Sequence, residues 1–217
     1  MKKTDAYLRK LKKNNKKEWF DAHRNTYDGA REEFTLVIEE VLKGISKFDK
    51  QVAGLEAKKT LFRINRDIRF SKDKTPYKTN FAAAMGPDGK NSEKPGYYLS
   101  AAPGDYYLAG GSYMPMPDKL AAIRQEIDYN FKDFQKILAN KDFKKYFGGI
   151  SDEGKLVNVP KGYEKDNPAA DILRNKHFIL YHKVPDKIAM SPKFAKYAAD
   201  VFKAMYPFLI FLRKAID

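Results

Sequence analysis

The spacing of apolar residues changes along the chain, and these changes constrain the fold more than any other feature of the sequence. Through the first fifty residues apolar side chains recur at helical intervals, as in the run from Phe34 to Ile45. From residue 60 the interval falls to two, the period of a β-strand. Helical spacing returns after Pro117 and again after Pro192, and Pro207 is expected to bend or split the last helix. Segregated helical and strand segments predict an α+β fold.

Five segments carry the strand pattern. They are residues 60–70, 77–85, 97–102, 106–113 and 177–184. The turn-forming sequences GPDGKNSEKPG and APGD separate the second, third and fourth segments, and such short connections favour an antiparallel meander. We therefore expect a mostly antiparallel meander sheet packed against N-terminal, central and C-terminal helices, in a single domain of residues 1–217.

Composition bounds the classes of function. The chain is 43% hydrophobic and has no cysteine, which excludes disulfides and thiolate metal sites. No apolar stretch follows the N-terminal lysines, and the longest one, near residues 205–212, is far shorter than the ~20 residues of a membrane span. We therefore expect a cytoplasmic protein without a membrane partner. The net charge of +14 attracts polyanions and phosphorylated ligands, although a lysine-rich surface also serves solubility alone.

The segment TLFRINRDIRFSKDKTPYKTN, residues 60–80, has an unusually dense charge pattern and a net charge of +4. As a strand, it would place Arg63, Asn65 and Arg69 on one polar face. The opposite, apolar face would carry Phe62, Ile64, Ile68 and Phe70. If Lys78 and Asn80 of the next strand share the polar face, the donors converge and can hold a carboxylate or phosphate. The predicted ligand-binding residues are Arg63, Asn65, Arg66, Asp67, Arg69, Lys72, Lys74, Tyr77 and Lys78.

Parts of this segment also have a structural interpretation. Arg66 would point toward the apolar face, where a guanidinium needs a carboxylate, so an ion-pair role is favoured over a ligand contact. The loop 71–76 suits either the mouth of an anion site or a solvated hairpin turn. Small residues nearby leave room above the sheet, either for a ligand or for a closely packed helix. They are Ala82, Ala84, Ala101, Ala102, Gly110 and Gly111.

The run FRINRDIRFSKDKTPYKTNFAAAM strongly resembles the signature of a bacterial family catalogued as domain of unknown function 2461. The stretches NNKKEWFDAHRNTY, GYYLSAAPGDYYLAGGSYMP, LAAIRQEI and PKGYEKDNPAADILRNKHF also resemble this family, so the resemblance covers nearly the whole chain in order. It implies a soluble protein and no defined reaction. The family's characteristic residues correspond here to Arg63, Arg66, Asp67, Arg69, Phe70, Ser71, Asp73, Lys74, Pro76, Tyr77 and Lys78. Where the family often has His-Pro, this chain has Asn167-Pro168, which weakens any role for a histidine there.

Metal and cofactor chemistry find little support in the sequence. His177 and His182 are five residues apart and would face opposite sides of one strand, and His23 is expected at the surface. Carboxylates alone could bind Mg²⁺ through Asp67, Asp73 or Asp105, but their spacing matches no known motif. No metal and no cofactor are predicted. In a reaction Asp67 or Asp73 could act as base, with Tyr77 or Lys74 as acid, yet no catalytic residue is assigned.

Three hypotheses about function remain open. The preferred one is a domain that binds a small phosphorylated or carboxylated ligand in a basic pocket built around residues 63–78. The second is a nucleic-acid-binding module in which a basic surface extends to the N-terminal lysines and exposed tyrosines stack on bases. Its candidate tyrosines, which core packing would explain equally, are Tyr97, Tyr98, Tyr106, Tyr107 and Tyr113. The third is a scaffold in which acidic partners neutralise the arginines.

Overall fold

A computed structural model describes all 217 residues, Met1–Asp217. The N-terminal part is helical, as its apolar spacing predicts. It contains α1 (Lys2–Lys13), α2 (Lys17–Ala22), α3 (Arg24–Ile45), a short 3₁₀ turn (Lys50–Val52) and α4 (Ala57–Thr60). Tyr7, Leu8 and Leu11 of α1 are buried, and α3 buries six side chains at helical spacing. Each helix therefore presents one apolar face to the core.

Four strands form one antiparallel sheet in the order β1-β2-β3-β4. They are β1 (Phe81–Met85), β2 (Gly96–Ala101), β3 (Tyr106–Ser112) and β4 (Phe178–Val184). The β2–β3 turn closes with a hydrogen bond from the Asp105 N–H to the Ala102 carbonyl, and Gly104 adopts φ +81°, which only glycine reaches without strain. The α+β fold and the antiparallel arrangement are confirmed.

The remaining helices lie between β3 and β4 and after β4. They are α5 (Pro117–Tyr129), α6 (Phe131–Ala139), α7 (Lys141–Tyr146), α8 (Ala170–Leu173), α9 (Asp186–Ala189) and α10 (Phe194–Ile216). Helix α10 contacts β3, α3 and α5, and α3 contacts β1, so these two helices lie on one face of the sheet. Pro207 lies inside α10 on its exposed side, where its ring points away from the core, and the helix continues through it. Of the two expected effects of Pro207, a bend or a split, the split does not occur. None of the helices is long and apolar enough to cross a bilayer.

Residues 60–70 do not form the predicted strand. They run beside residues 76–83 with only isolated bridges, at Leu61–Ala83 and Asn65–Tyr77. The expected alternation also fails, because Leu61 is buried whereas Phe70 is 95% exposed. The Pro76 carbonyl accepts the Arg66 N–H, but Pro76 has no N–H to donate in return, which interrupts the ladder. The strand predicted to begin at residue 77 begins only at Phe81.

A buried ion pair fastens α10 to the loop after α3. Arg213 and Asp49 are 1% and 0% exposed, and the Arg213 Nη1 lies 2.8 Å from the Asp49 Oδ2. The Tyr97 hydroxyl of β2 donates to the same carboxylate oxygen at 2.9 Å, and the Arg213 Nε donates to the Pro95 carbonyl. This network joins a helix, a loop and the sheet through polar groups that have no access to water.

Candidate ligand site on the open face of the sheet

The sheet has one face packed on helices and one open face. Strand register places Ala84, Tyr98, Ala109 and Tyr181 side by side, and Ala82, Ser100, Tyr107 and Lys183 in the adjacent row. The residues that alternate with these are buried against the helices. On the open face Tyr181 is 45% exposed and Lys183 is also exposed. These two rows therefore make the open face a mixture of small residues and tyrosines.

Four aromatic rings cross the open face in contact with one another. The centroid distances are 6.2 Å from Phe62 to Tyr98, 5.8 Å from Tyr98 to Tyr107 and 4.9 Å from Tyr107 to Tyr181. The last two pairs have interplanar angles of 25° and 34°, so the Tyr107 ring is partly stacked on both of its neighbours. Burial raises the pKa of Tyr98, and the neighbouring Tyr107 raises it further. We call these four residues the aromatic row.

The other tyrosines considered for stacking lie elsewhere. Tyr97 and Tyr106 are each 1% exposed on the helix-packed face, where they belong to the core. Tyr113 follows β3 and packs on His177, with ring centroids 5.1 Å apart. Tyr98 and Tyr107 therefore lie on the open face, and Tyr113, which is 61% exposed, lines a cleft beside that face.

A cleft of 640 Å³ lies beside the aromatic row. Tyr98, Tyr107 and Tyr181 line it together with Met114 and Met116 of the segment that follows β3. Charged residues also line it, and Lys119 forms an ion pair with Glu93. The volume falls in the range of small-molecule sites, about 300–1,000 Å³.

The small residues near the sheet line the cleft and also let a helix pack closely. Ala84 and Gly111 line the cleft, whereas Ala101 faces the core. Gly110 also makes room for a helix, because a methyl group on it would overlap the thioether of Met205 in α10. Small residues thus provide space for the cleft on one face and for α10 on the other.

Arg63 and Lys78 lie together at the Phe62 end of the aromatic row. The Lys78 Nζ is 5.4 Å from the centroid of the Phe62 ring. Burial lowers the pKa of Lys78, and the nearby charge of Arg63 lowers it further. The ion pairs of this segment join Arg66 to Asp73 and Arg69 to Asp67, which leaves Arg63 and Lys78 without a carboxylate partner.

Arg66 holds the loop that follows it, as its structural interpretation predicts. Its guanidinium donates to Asp73, to the Thr75 hydroxyl and, at 3.4 Å, to the Ser71 hydroxyl. The Thr75 N–H donates to the Asp73 Oδ1 at 2.9 Å. This amide, together with Arg66, lowers the pKa of Asp73 to about 2. Such a carboxylate is a weak base at neutral pH.

The remaining predicted site residues are dispersed. Arg69 forms an exposed bidentate pair with Asp67, and hydrogen bonds from Arg69, with the nearby charge of Arg63, lower the pKa of that carboxyl. Lys74 donates to the Ile68 carbonyl at 3.0 Å. Lys72 and Asn65 are exposed, and Tyr77 is buried with its ring stacked on Phe20 at 4.2 Å. Of the nine predicted residues, the structure brings only Arg63 and Lys78 together beside the open face.

The histidines take part in local contacts. The His177 Nδ1 accepts the Met114 N–H at 3.0 Å, and the His182 Nε2 lies 2.6 Å from the Tyr197 hydroxyl. No three His, Asp or Glu side chains gather where they could share a metal ion. Asn167 donates through its amide to Asp128 and caps the turn before α8 by accepting the Ala169 N–H.

Sequence reasoning missed Tyr181 and Lys183 as residues of the open face. Their signal was present, because Ile179, Tyr181 and Lys183 alternate with the core residues of β4. Phe62 was missed because the segment that contains it was taken for a strand. It was assigned to an apolar face, yet it lies half-buried at the end of the aromatic row.

The fold and this surface define an α+β protein in which helices cover one sheet face and a tyrosine-lined cleft occupies the other. Comparison with protein families matches residues 3–211 to the conserved hypothetical proteins designated DUF2461, and the chain belongs to that family. The resemblance found in the sequence is thereby confirmed. No curated protein and no solved structure matches the chain.

Proposed function

We propose that this protein binds a small phosphorylated or carboxylated ligand on the open face, with Arg63 and Lys78 holding the anionic group. The observation that carries the proposal is a pair of neighbouring cations, neither of which forms an ion pair with a carboxylate. Two positive charges that lie close together repel each other, and the Lys78 ammonium is half-buried whereas Arg63 is exposed. A bound phosphate or carboxylate would remove this repulsion and would accept hydrogen bonds from both side chains.

The cleft gives such a ligand room for its remaining atoms. The aromatic row runs from Phe62, under the Lys78 ammonium group, to the tyrosines that line the cleft. An anion held at Arg63 and Lys78 would therefore extend along tyrosine rings and their hydroxyl groups. The scaffold hypothesis accounts for Arg66 and Arg69, which have acidic partners, but not for Arg63 and Lys78.

A thermal-shift screen tests this function. Purified protein is heated with nucleotides, sugar phosphates and carboxylates at low and moderate salt. A ligand at a hundred times its Kd should add about 2.7 kcal/mol of stability, which raises Tm by roughly 5–10 °C for a chain of this size. The shift should disappear in Arg63→Ala/Lys78→Ala and persist in the control Lys132→Ala, which removes an exposed cation far along the chain.

The ligand-free variants separate binding from scaffolding. Removal of two cations that repel each other should leave the Tm of Arg63→Ala/Lys78→Ala equal to or above that of the wild type. A clear drop in that Tm would indicate that both side chains support the fold. A ligand that stabilises wild type and double variant equally would contradict the proposed position of the anion.

A further inference from the structure

The fold brings together two strongly basic segments that are far apart in sequence. Residues 9–17 contain six basic residues and no acidic one, and residues 63–78 carry a net charge of +4. The Asn15 side chain joins them, since its Nδ2 donates to the Tyr77 carbonyl at 2.9 Å and its Oδ1 accepts the Tyr77 N–H at 3.1 Å. The turn between α1 and α2 therefore lies against the end of the second segment. We call their exposed basic residues the joint basic surface.

Much of the charge on this surface is free to meet an external anion. In residues 9–17 the ion pairs involve only Arg9 and Lys17. Lys12, Lys13 and Lys16 are exposed and have no acidic partner. Lys72 is equally exposed in the second segment. These lysines can contact phosphate groups without first breaking an internal ion pair.

A fully exposed aromatic ring lies in the second segment. Phe70 is 95% exposed, and the Arg69 guanidinium carbon is 5.8 Å from its ring centroid. The loop that carries it is held from within by the contacts of Arg66 with Asp73 and Thr75. The protein therefore presents a phenylalanine to solvent, flanked by cations, from a braced loop.

We propose that the joint basic surface binds single-stranded nucleic acid, with lysines contacting phosphates and Phe70 stacking on an unpaired base. Proteins that bind single strands combine a positively charged path for the backbone with aromatic rings for the bases. A duplex keeps its bases stacked inside and offers Phe70 no free face. A membrane surface fits less well, because Phe70 is the only large apolar side chain exposed in these two segments, whereas interfacial binding buries a whole apolar face.

The test measures the affinity for a labelled single-stranded oligothymidine of about 20 nucleotides by fluorescence anisotropy. The salt concentration is varied from about 50 to about 200 mM, a range in which phosphate contacts strongly affect affinity. One variant, Lys13→Ala/Lys16→Ala/Lys72→Ala, removes three lysines of the joint basic surface. Its matched control, Lys132→Ala/Lys161→Ala/Lys165→Ala, removes three exposed lysines elsewhere. The third variant is Phe70→Ala. Arg63 and Lys78 remain in all of them, so a failed small-ligand screen leaves this test intact.

The two kinds of contact have different signatures. The lysine variant should lower the slope of log affinity against log salt by about 2, because each phosphate contact on a single strand contributes about 0.7. Phe70→Ala should weaken binding by roughly 5- to 150-fold, the equivalent of one lost stacking contact, at an unchanged salt slope. The control should match the wild type.

Several results would overturn the proposal. The first is no oligonucleotide binding at about 50 mM salt, where phosphate contacts are strongest. The second is an equal loss of affinity in the two triple-lysine variants. The third is wild-type affinity in Phe70→Ala. Equal affinity for a duplex of the same length would also overturn it, because a duplex offers Phe70 no base to stack on. So would binding to phosphatidylserine vesicles, measured by sedimentation, when the oligonucleotide does not bind.

Discussion

Replacement of Asp49 by alanine should destabilise the protein strongly. Asp49→Ala leaves the Arg213 guanidinium in the core with only the Pro95 carbonyl and the Gln51 side chain as acceptors. The Tyr97 hydroxyl loses its acceptor as well. Breaking a buried ion pair by removing one partner costs about 3–5 kcal/mol, since the other charge stays buried and unpaired. For a chain of this length that loss lowers Tm by roughly 6–20 °C.

Urea denaturation followed by circular dichroism measures this loss. The control is Asp200→Ala, which breaks the exposed Lys196–Asp200 pair on α10 and should cost less than about 0.5 kcal/mol. The double variant Asp49→Ala/Arg213→Met should lose less than the sum of the single variants, because no charge then remains unpaired in the core.

Two outcomes would refute this reasoning. One is a loss in Asp49→Ala below about 1 kcal/mol, which would mean that water or another acceptor replaces the carboxylate at no cost. The other is strict additivity in the double variant, which would mean that Asp49 and Arg213 do not act on each other.

Three further predictions concern single positions. Arg66→Ala should speed amide exchange in the loop it braces with little change in global stability, and an unchanged exchange pattern would contradict this role. The Thr75 amide and Arg66 lower the pKa of Asp73 to about 2, so the ionised carboxylate should stabilise its loop above about pH 4 and lose this effect as pH falls toward 2. A pKa near 4, measured from the Asp73 carboxyl carbon by NMR in the wild type, would contradict this. Gly110→Ala should lower the free energy of unfolding by about 1–3 kcal/mol, because the added methyl overlaps Met205 and lies 2.8 Å from the Gly96 carbonyl oxygen. Gly29→Ala, in a helix with open space around it, should raise the free energy of unfolding by about 0.5–1 kcal/mol. Equal urea midpoints in the two variants would refute both predictions.

The sequence predicts the helices and the meander because each of these elements buries one face. The run Phe34–Ile45 has the spacing of a helix packed on one side, and β2 to β4 alternate between core and open face. In such elements burial alone determines the period. The turn at Gly104 adds an independent local signal.

The segment 60–70 was predicted wrongly because side-chain contacts, rather than a regular pattern of burial, determine its conformation. Arg66 and Asp73 are seven residues apart, and their contact braces a loop that alternation cannot reveal. Phe70 fits the apolar face of an imagined strand, yet nothing covers it. The pairing of Asp49 with Arg213 is likewise invisible in a single sequence, since 164 positions separate them.

The position of Arg63 beside Lys78 was predicted from the idea of neighbouring strands. The two segments do run side by side, so Arg63 and Lys78 are neighbours although residues 60–70 form no strand. Tyr98 and Tyr181 meet the same cleft from β2 and β4, and β4 follows β3 only after a long helical excursion. A cleft assembled across such a distance depends on strand order, which periodicity does not encode.

The place of α10 in the chain has a consequence for synthesis on the ribosome. Helix α3 precedes the sheet and contacts β1, but the apolar face of β3 stays uncovered until α10 emerges, because α10 follows every strand it packs against. At about 5–20 residues per second, the roughly eighty residues between β3 and α10 take about 4–16 seconds to translate. During that interval the nascent sheet exposes the kind of surface that chaperones recognise. Translation speed over the central helices should therefore affect how much of this protein escapes aggregation.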